Sequence, residues 1–394
     1  MRNVVFILLL LILSLKSSDG QIQNNTIQSW SESDSAGQTG SLLIGGYGEV
    51  HYNQHFGDGT SHNGNLDVHR MVLLLGYRFD SDISFFSEIE FEHVKELFVE
   101  QAFLQYHISS AFNIKAGLLL IPMGIVNEYH EPTLFFGVER PLTDNLIVPS
   151  TWREIGAGIS GNLTGAAMKY QLYLINGFLG YNGHALLNGT NGLRGGRQKG
   201  AKSSISSPNL TGKVTWYGIP GLKLGTSFFT GRSESTLFAG LDKDDKNQAL
   251  FADSSTVFIT MTGLDLKYEK EAFHFKAQLN YVLNKNTEQY NSFGKSDLGE
   301  TLFGYYLEAG YNLLNKSSKA KKLFLFGRYE HVNTHNTITT GTPDSKYNMQ
   351  IITTGLSYLL NQGAVIKADF QLPVGQSAAD YSKQLNLGIG VWFR

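Results

Sequence analysis

From residue 41 to its end the chain alternates between apolar and polar positions. Stretches of about ten to fifteen residues carry apolar side chains at every second position, then stop at Gly, Asn, Asp or Pro. In the last stretch Leu385, Leu387, Ile389, Val391 and Phe393 share one face, and Gln384, Asn386, Gly388, Gly390 and Trp392 share the other. Likewise Ile83, Phe85, Ile89 and Phe91 oppose Ser84, Glu88, Glu90 and Glu92, and Phe273, Phe275, Ala277, Leu279 and Tyr281 oppose His274, Lys276, Gln278 and Asn280. Successive side chains of a strand point to opposite faces, so each set lines one surface of a sheet. The pattern predicts sixteen strands, near 42–54, 66–79, 83–93, 97–108, 112–121, 152–161, 166–177, 208–218, 221–231, 255–269, 272–283, 300–314, 321–332, 347–360, 363–372 and 383–394.

The connections alternate too. Tight ones fall around Asp80, Ser110, Thr164, Pro220, Lys270, Ser317 and Gln362. Between them lie longer ones near 55–65, 122–151, 178–207, 232–254, 284–299, 333–346 and 373–382, with one short exception at Val94 to Glu96. A soluble sandwich has no reason to sort loop lengths by parity. An even-stranded transmembrane antiparallel β-barrel, with short periplasmic turns and long external loops, does so as a rule. At about sixteen strands a closed sheet encloses an aqueous lumen rather than a packed interior.

Other features change the picture only where they bear on which face meets lipid. Residues 1–20 read as a signal peptide: Arg2 supplies the positive end, Val4 to Leu13 an apolar core too short to span a bilayer, and Ser18 and Gly20 the small residues of a cleavage site. Residues 21–40, rich in Ser, Gln, Asn and Thr, read as a disordered leader, which leaves 41–394 as the barrel. Trp216, Tyr217, Tyr268, Tyr281, Tyr311, Tyr329, Tyr358 and Trp392 recur near strand ends, as an aromatic girdle requires. Beyond the N-terminus no apolar run is long enough for a membrane helix. A net charge of -2 argues against nucleic acid as a partner, and the lack of cysteine removes disulfides, thiolate catalysis and Cys-based zinc sites.

The segment Lys115 to Gly161 reads KAGLLLIPMG, then a long loop containing FFGVERP, then VPSTWREIGAGISG. It resembles the phosphate-selective porin O/P family, in which a Gly-x-Phe-Lys-x-Pro-Phe-Gly pattern ends the fifth strand and a Glu-Arg loop leads to a Gly-alternating sixth. Shorter matches are Asn176-Gly177, Gly263-Leu264-Asp265, Arg328-Tyr329-Glu330 and Thr354-Gly355-Leu356-Ser357-Tyr358. The resemblance implies a sixteen-stranded outer-membrane porin of a Gram-negative envelope, a homotrimer whose third external loop enters the lumen. Its partners would be outer-membrane lipid and lipopolysaccharide, and small hydrophilic solutes or anions such as phosphate. The chain departs from the family where anions would be chosen. Leu120 stands in place of the fifth-strand lysine, and the arginine-rich run of the second strand is reduced to His69-Arg70-Met71-Val72.

Alternation puts ten basic residues on the lumen face: Arg70, Arg78, Lys115, Lys169, Lys213, Lys223, Lys267, Lys276, Arg328 and Lys367. Eight acids share it: Glu88, Glu90, Glu92, Glu154, Asp265, Glu308, Glu330 and Asp369. Ten against eight is no single-sign field, and cross-strand pairing is the ordinary fate of such charges. The loop 122–151, with four prolines and apolar Leu134, Phe135 and Phe136, is the functional candidate. Packing of Phe135 and Phe136 against Leu119 and Ile121 would turn it inward and bring Glu139 and Arg140 beside Lys115 at a pore constriction. His51, His55, His62 and His69 gather around the first loop as rim histidines usually do, solvated, and no metal or cofactor is assigned. Asp242, Asp244 and Asp245 lack the rest of a calcium loop. No Gly-x-Ser-x-Gly elbow occurs, so the reading is a channel and not an enzyme. The alternatives are an outer-membrane lipid-acting enzyme, which would need a Ser–His pair at the rim, and a surface adhesin barrel.

Overall fold

The computed structural model describes residues 40–394 except 58, 60, 61, 243, 319, 376, 379, 380 and 394. The expected signal peptide and nearly all of the expected leader lie outside the described residues. Sixteen long strands close into one barrel: β1 (Ser41–Phe56), β2 (Asn65–Arg78), β3 (Ile83–Glu92), β4 (Glu96–Ser109), β5 (Phe112–Leu120), β6 (Arg153–Leu163), β7 (Met168–Ile175), β9 (Asn209–Ile219), β10 (Leu222–Arg232), β12 (Phe258–Lys270), β13 (Phe273–Lys285), β14 (Thr301–Asn312), β15 (Lys322–Thr337), β16 (Asn348–Asn361), β17 (Ala364–Val374) and β18 (Lys383–Phe393). Two short strands in the loops, β8 (Leu179–Tyr181) and β11 (Glu234–Ser235), pair with each other outside the wall. Three short helices, α1 (Thr143–Leu146), α2 (Lys246–Asp253) and α3 (Thr287–Gly294), also sit in loops. Asp245 caps α2, accepting from the N–H groups of Asn247 and Gln248, so that acidic stretch has a local structural use.

The wall is antiparallel throughout and closes by pairing β1 with β18, Gly46 opposite Phe393 through Phe56 opposite Lys383. Closure gives every wall strand a neighbour on both sides. Most strands keep the bounds that alternation gives them; β15 runs on to Thr337, five residues past the expected end, as its long-loop end pairs with Thr301. The short connections gather at one end of the barrel and the long ones at the other, with 93–95 the short exception among the latter.

Outward positions are apolar and open, such as Leu42, Ile44, Leu264, Leu307, Ile389 and Val391. Inward positions carry the charges, and every lumen residue named from alternation has the inward register. Trp216, Tyr268, Tyr281, Tyr311, Tyr329 and Tyr358 face outward as a girdle would. Tyr217 and Trp392 do not: Tyr217 Oη donates to Asn162 Oδ1 at 2.6 Å on the lumen side, and Trp392 packs on the buried cluster inside. Each sits one register position from its outward neighbour, so proximity to a strand end alone misassigned it.

The seam makes a prediction. Deleting Trp392 to Arg394 removes the partners of Tyr47 and Gly46 and reopens an edge. The truncated chain should fold poorly in detergent, losing the compact, heat-sensitive migration of the closed barrel on unheated gels. Full recovery of that migration would show that closure does not depend on the terminal residues.

Candidate functional site

The segment 121–152 between β5 and β6 does enter the barrel. Its neck is closed by the Ile121 N–H donating to Trp152 O at 3.0 Å. Asn127, fully buried, ties both ends: Nδ2 donates to Ile121 O and Trp152 O, and Oδ1 accepts from Trp152 N–H at 2.7 Å. The loop is therefore a self-closed Ω-like unit. It touches the wall around most of its circumference. Lys213 on β9 donates to Gly124 O and Glu128, Gln278 on β13 accepts from Ile125 N–H, and Arg70 on β2 donates to His130 O. Farther along the wall, from β13 to β17, Lys276, Lys367 and Arg328 donate to the carbonyls of Leu134, Gly137 and Glu139, while Asp369 and Glu330 accept from Val138 and Leu142 N–H.

Apolar contacts fix its height. Phe136 stacks on Phe324 and Phe326 of β15, with ring centres 4.8 and 5.7 Å apart, and closes a buried cluster with Leu359 and Val365. This corrects the expected pairing with Leu119 and Ile121. Those two are buried and inward, but they belong to the cluster of Trp152, Phe178 and Phe229 across the lumen. The β15 shelf offers Phe136 two aromatic rings, a better complement than aliphatic side chains. Room for the loop comes from wall residues without side chains: a Cβ on Gly310 would lie 2.6 Å from the Phe136 ring, and one on Gly390 2.6 Å from Pro132.

A second loop, 176–208, lies over the first. Arg197 donates to Ser150 O and Thr151 Oγ1, and burial among Arg194 and Arg153 pushes its guanidinium down to about 9. Tyr290 of α3 fastens this cover, donating to Gly180 O at 2.6 Å and accepting from Leu187 N–H.

Together the loops shelter much of the lumen face: Arg70, Glu88, Glu100 and Arg328 are at most 2 % exposed. The named charges meet partners there. Arg70 pairs with Glu49 at 2.5 Å and Glu90 at 3.7 Å; Glu88 accepts from Tyr47 Oη and Gln101; Arg328 bridges Glu308 and Glu330. Glu92, near the long-loop rim, is half-buried. Glu139 and Arg140 are not brought to Lys115. Glu139 accepts from Asn53 and lies 3.3 Å from His51, both on β1, whereas the Lys115 ammonium on β5 sits over the Phe103 ring. Two Arg140 nitrogens, Nε and Nη2, are sheltered without a hydrogen-bond partner. Alternation had missed Glu49, Glu100, Glu128 and His130; Glu49 was legible from the inward parity of β1, while Glu100 was hidden by the bulge at Glu88/Ile89 that resets the register of β4.

Toward the short-turn end the lumen is more open, and basic. Lys223 on β10, Lys267 on β12 and Lys276 on β13 stand directly opposite one another, in one row across three neighbouring strands. The Lys267 ammonium lies 3.5 Å over the Tyr129 ring of the loop. Half-exposed Lys115 and Lys169 continue the same arc on β5 and β7.

No protein-family model matches the chain. A protein of Aquifex aeolicus (strain VF5), described only as an uncharacterized protein, is 32% identical over 341 residues, or 84% of this chain and 75% of its own. Among solved structures, OmpF of Salmonella typhi in complex with daunomycin has a TM-score of 0.58 at 12% identity, covering 90% of this chain and 98% of that one. The outer membrane channel DcaP of Acinetobacter baumannii gives 0.57 at 13%, covering 91% and 100%. An anion-selective porin from Comamonas acidovorans gives 0.54 at 12%, covering 90% and 99%. At such identities the likeness is one of fold.

The loop's anchoring predicts two effects. Asn127→Ala leaves the buried Trp152 N–H without a partner and removes one of two donors from Ile121 O and from Trp152 O, and should loosen the neck by about 1–3 kcal/mol, read as faster proteolysis within 121–152. Gly310→Val should displace Phe136 and raise single-channel conductance while the barrel keeps its thermal stability; unchanged conductance would show that the loop does not limit the path.

Proposed function

The chain belongs to the same family as the Aquifex aeolicus protein, and on that footing we propose that it is an outer-membrane porin, a restricted aqueous channel for small hydrophilic solutes that favours anions. The row Lys223–Lys267–Lys276 carries the reading. Like charges directly opposite on a sheet destabilise it. Three of them held in one row on the wet face make sense where a local positive field sorts ions. Lys276 of this row also pairs with Glu308 at 3.4 Å, and other lumen acids are engaged with Arg70, Lys213, Arg328 and the inward loop. The anion-selective character of the Comamonas porin, which shares the fold, agrees with this assignment.

In this reading the short turns are periplasmic, the long loops external, and the apolar belt meets lipid and lipopolysaccharide. The narrow part lies where the loop approaches the β5–β12 arc. Lys115 serves there on the wall, whereas Glu139 and the neighbouring Arg140 lie on the β1 and β15 side of the loop, beside Asn53, His51 and Arg328. The family resemblance makes a homotrimer the working assembly and phosphate the first anion to test.

A rim Ser–His contact does exist, His55 Nδ1 lying 2.8 Å from Ser382 Oγ. No carboxylate orients that imidazole among the described residues, so the hydrolase reading lacks the third member such chemistry needs. No observation favours an adhesin.

Lys267→Glu alone, and with Lys223→Glu, should move the zero-current potential in a salt gradient from the anion side toward cations. A barrel that conducts with unchanged selectivity would overturn the anion assignment, and one that does not conduct at all would overturn the channel.

A further inference from the structure

Glu88 of β3, Glu100 of β4 and His130 of the inward loop meet at a buried point, exposed by 1%, 0% and 4%. His130 Nε2 lies 3.7 Å from Glu88 Oε1 and 3.5 Å from Glu100 Oε2, and one donor atom of each residue lies within 4.8 Å of the other two. The other ring nitrogen, Nδ1, is 3.2 Å from Asn127 O. A carbonyl only accepts, so Nδ1 carries a proton, and Nε2 is the ring nitrogen turned toward the two carboxylates, available as a ligand once it is unprotonated. The separations are long for direct hydrogen bonds. They fit the edges of a coordination shell: with metal–ligand distances of about 2.1 Å, two ligands of a tetrahedral ion stand about 3.4 Å apart.

Glu100 supplies an independent sign. Neither of its carboxylate oxygens has a hydrogen-bond partner, although the side chain is fully buried. A buried carboxylate without partners is expensive. Nearby cations face other groups, Arg70 toward Glu49, Glu90 and His130 O and Arg153 toward Thr151 O and the Phe98 ring, and neither donates a hydrogen bond to Glu100. The outer contacts of a metal site are also present. Tyr47 Oη and Gln101 Nε2 each donate to Glu88 at 2.7 Å, and Asn127 O orients His130.

We propose that Glu88, Glu100 and His130 form a site for one divalent transition cation of the zinc type, which latches the inward loop to the β3–β4 wall. Two carboxylates balance the ion's charge, the imidazole supplies a nitrogen ligand, and the second Glu100 oxygen is available as a further donor. The site rests on the fold alone and not on the channel reading.

The test uses the full mature chain folded in detergent, stripped with a chelator and titrated with Zn2+ by calorimetry, with metal content measured after gel filtration. One ion per chain is expected. Affinity should fall at least about 10-fold in Glu100→Gln and in His130→Asn. Asp67→Asn with His93→Gln, which disrupts the partly exposed Asp67–His69–His93 cluster at the rim, should leave it unchanged. Zinc should also slow proteolysis within 121–152 in the parent chain but not in Glu100→Gln. Near-ultraviolet circular dichroism checks that the variants fold. Absence of stoichiometric zinc in the parent chain would overturn the site and leave an imidazolium–carboxylate ion pair; binding that survives Glu100→Gln and His130→Asn but is lost in the rim variant would overturn it in favour of the rim.

Discussion

A loop of about thirty residues pressed into a barrel takes its peptide groups away from bulk water, and each must find a partner there. That constraint organises the lumen. A strand keeps its own peptide groups satisfied through its neighbours, so what the wall can offer a visitor is side chains. Long basic ones reach carbonyls and carboxylates reach N–H groups. Lys276, Lys367 and Arg328 do the first for Leu134, Gly137 and Glu139; Asp369 and Glu330 do the second for Val138 and Leu142. Charges that look like a pore lining in the sequence thus act partly as the second half of a secondary structure the loop does not have.

The same constraint divides the lumen electrically. Where the loop lies, positive and negative side chains are interleaved with peptide dipoles and cancel locally, as at Arg328 between Glu308 and Glu330. On β10, β12 and β13, toward the short turns, lysines stand beside lysines. A net charge near zero over the whole chain conceals this segregation. In any channel, selectivity depends on the charges facing the solute path, and a count along a sequence does not distinguish those from the rest.

Much of this was legible in the chain. Alternation with period two fixes which residues face inward on every strand, because a slip of one position would turn the whole apolar set into the lumen. Loop parity gives the strand number and the two unlike ends. Less legible was anything set by contacts between distant segments. Phe324 and Phe326 carry the same inward parity as Arg328, so β15 offers Phe136 a shelf as legible as the nearer Leu119 and Ile121, and the sequence alone does not rank the two. The bulge opposite Glu88 shifts register without any Pro or Gly to announce it, and Glu100 with it. No pattern in one dimension tells that His130, from the middle of a loop, ends beside residues of β3 and β4.

Gly310 and Gly390 carry a different kind of information. They are the places where the wall is hollowed to receive Phe136 and Pro132. A mould of this sort separates two properties that are usually entangled. The hydrogen-bonded cylinder does not need Gly310, and at Gly390 only the Val365 side chain of the neighbouring strand would have to give. The depth of the seated loop does need them, to within a methyl group. Exchanging a single small residue on β14 or β18 would therefore change how deep the loop sits while leaving the scaffold that carries it in place.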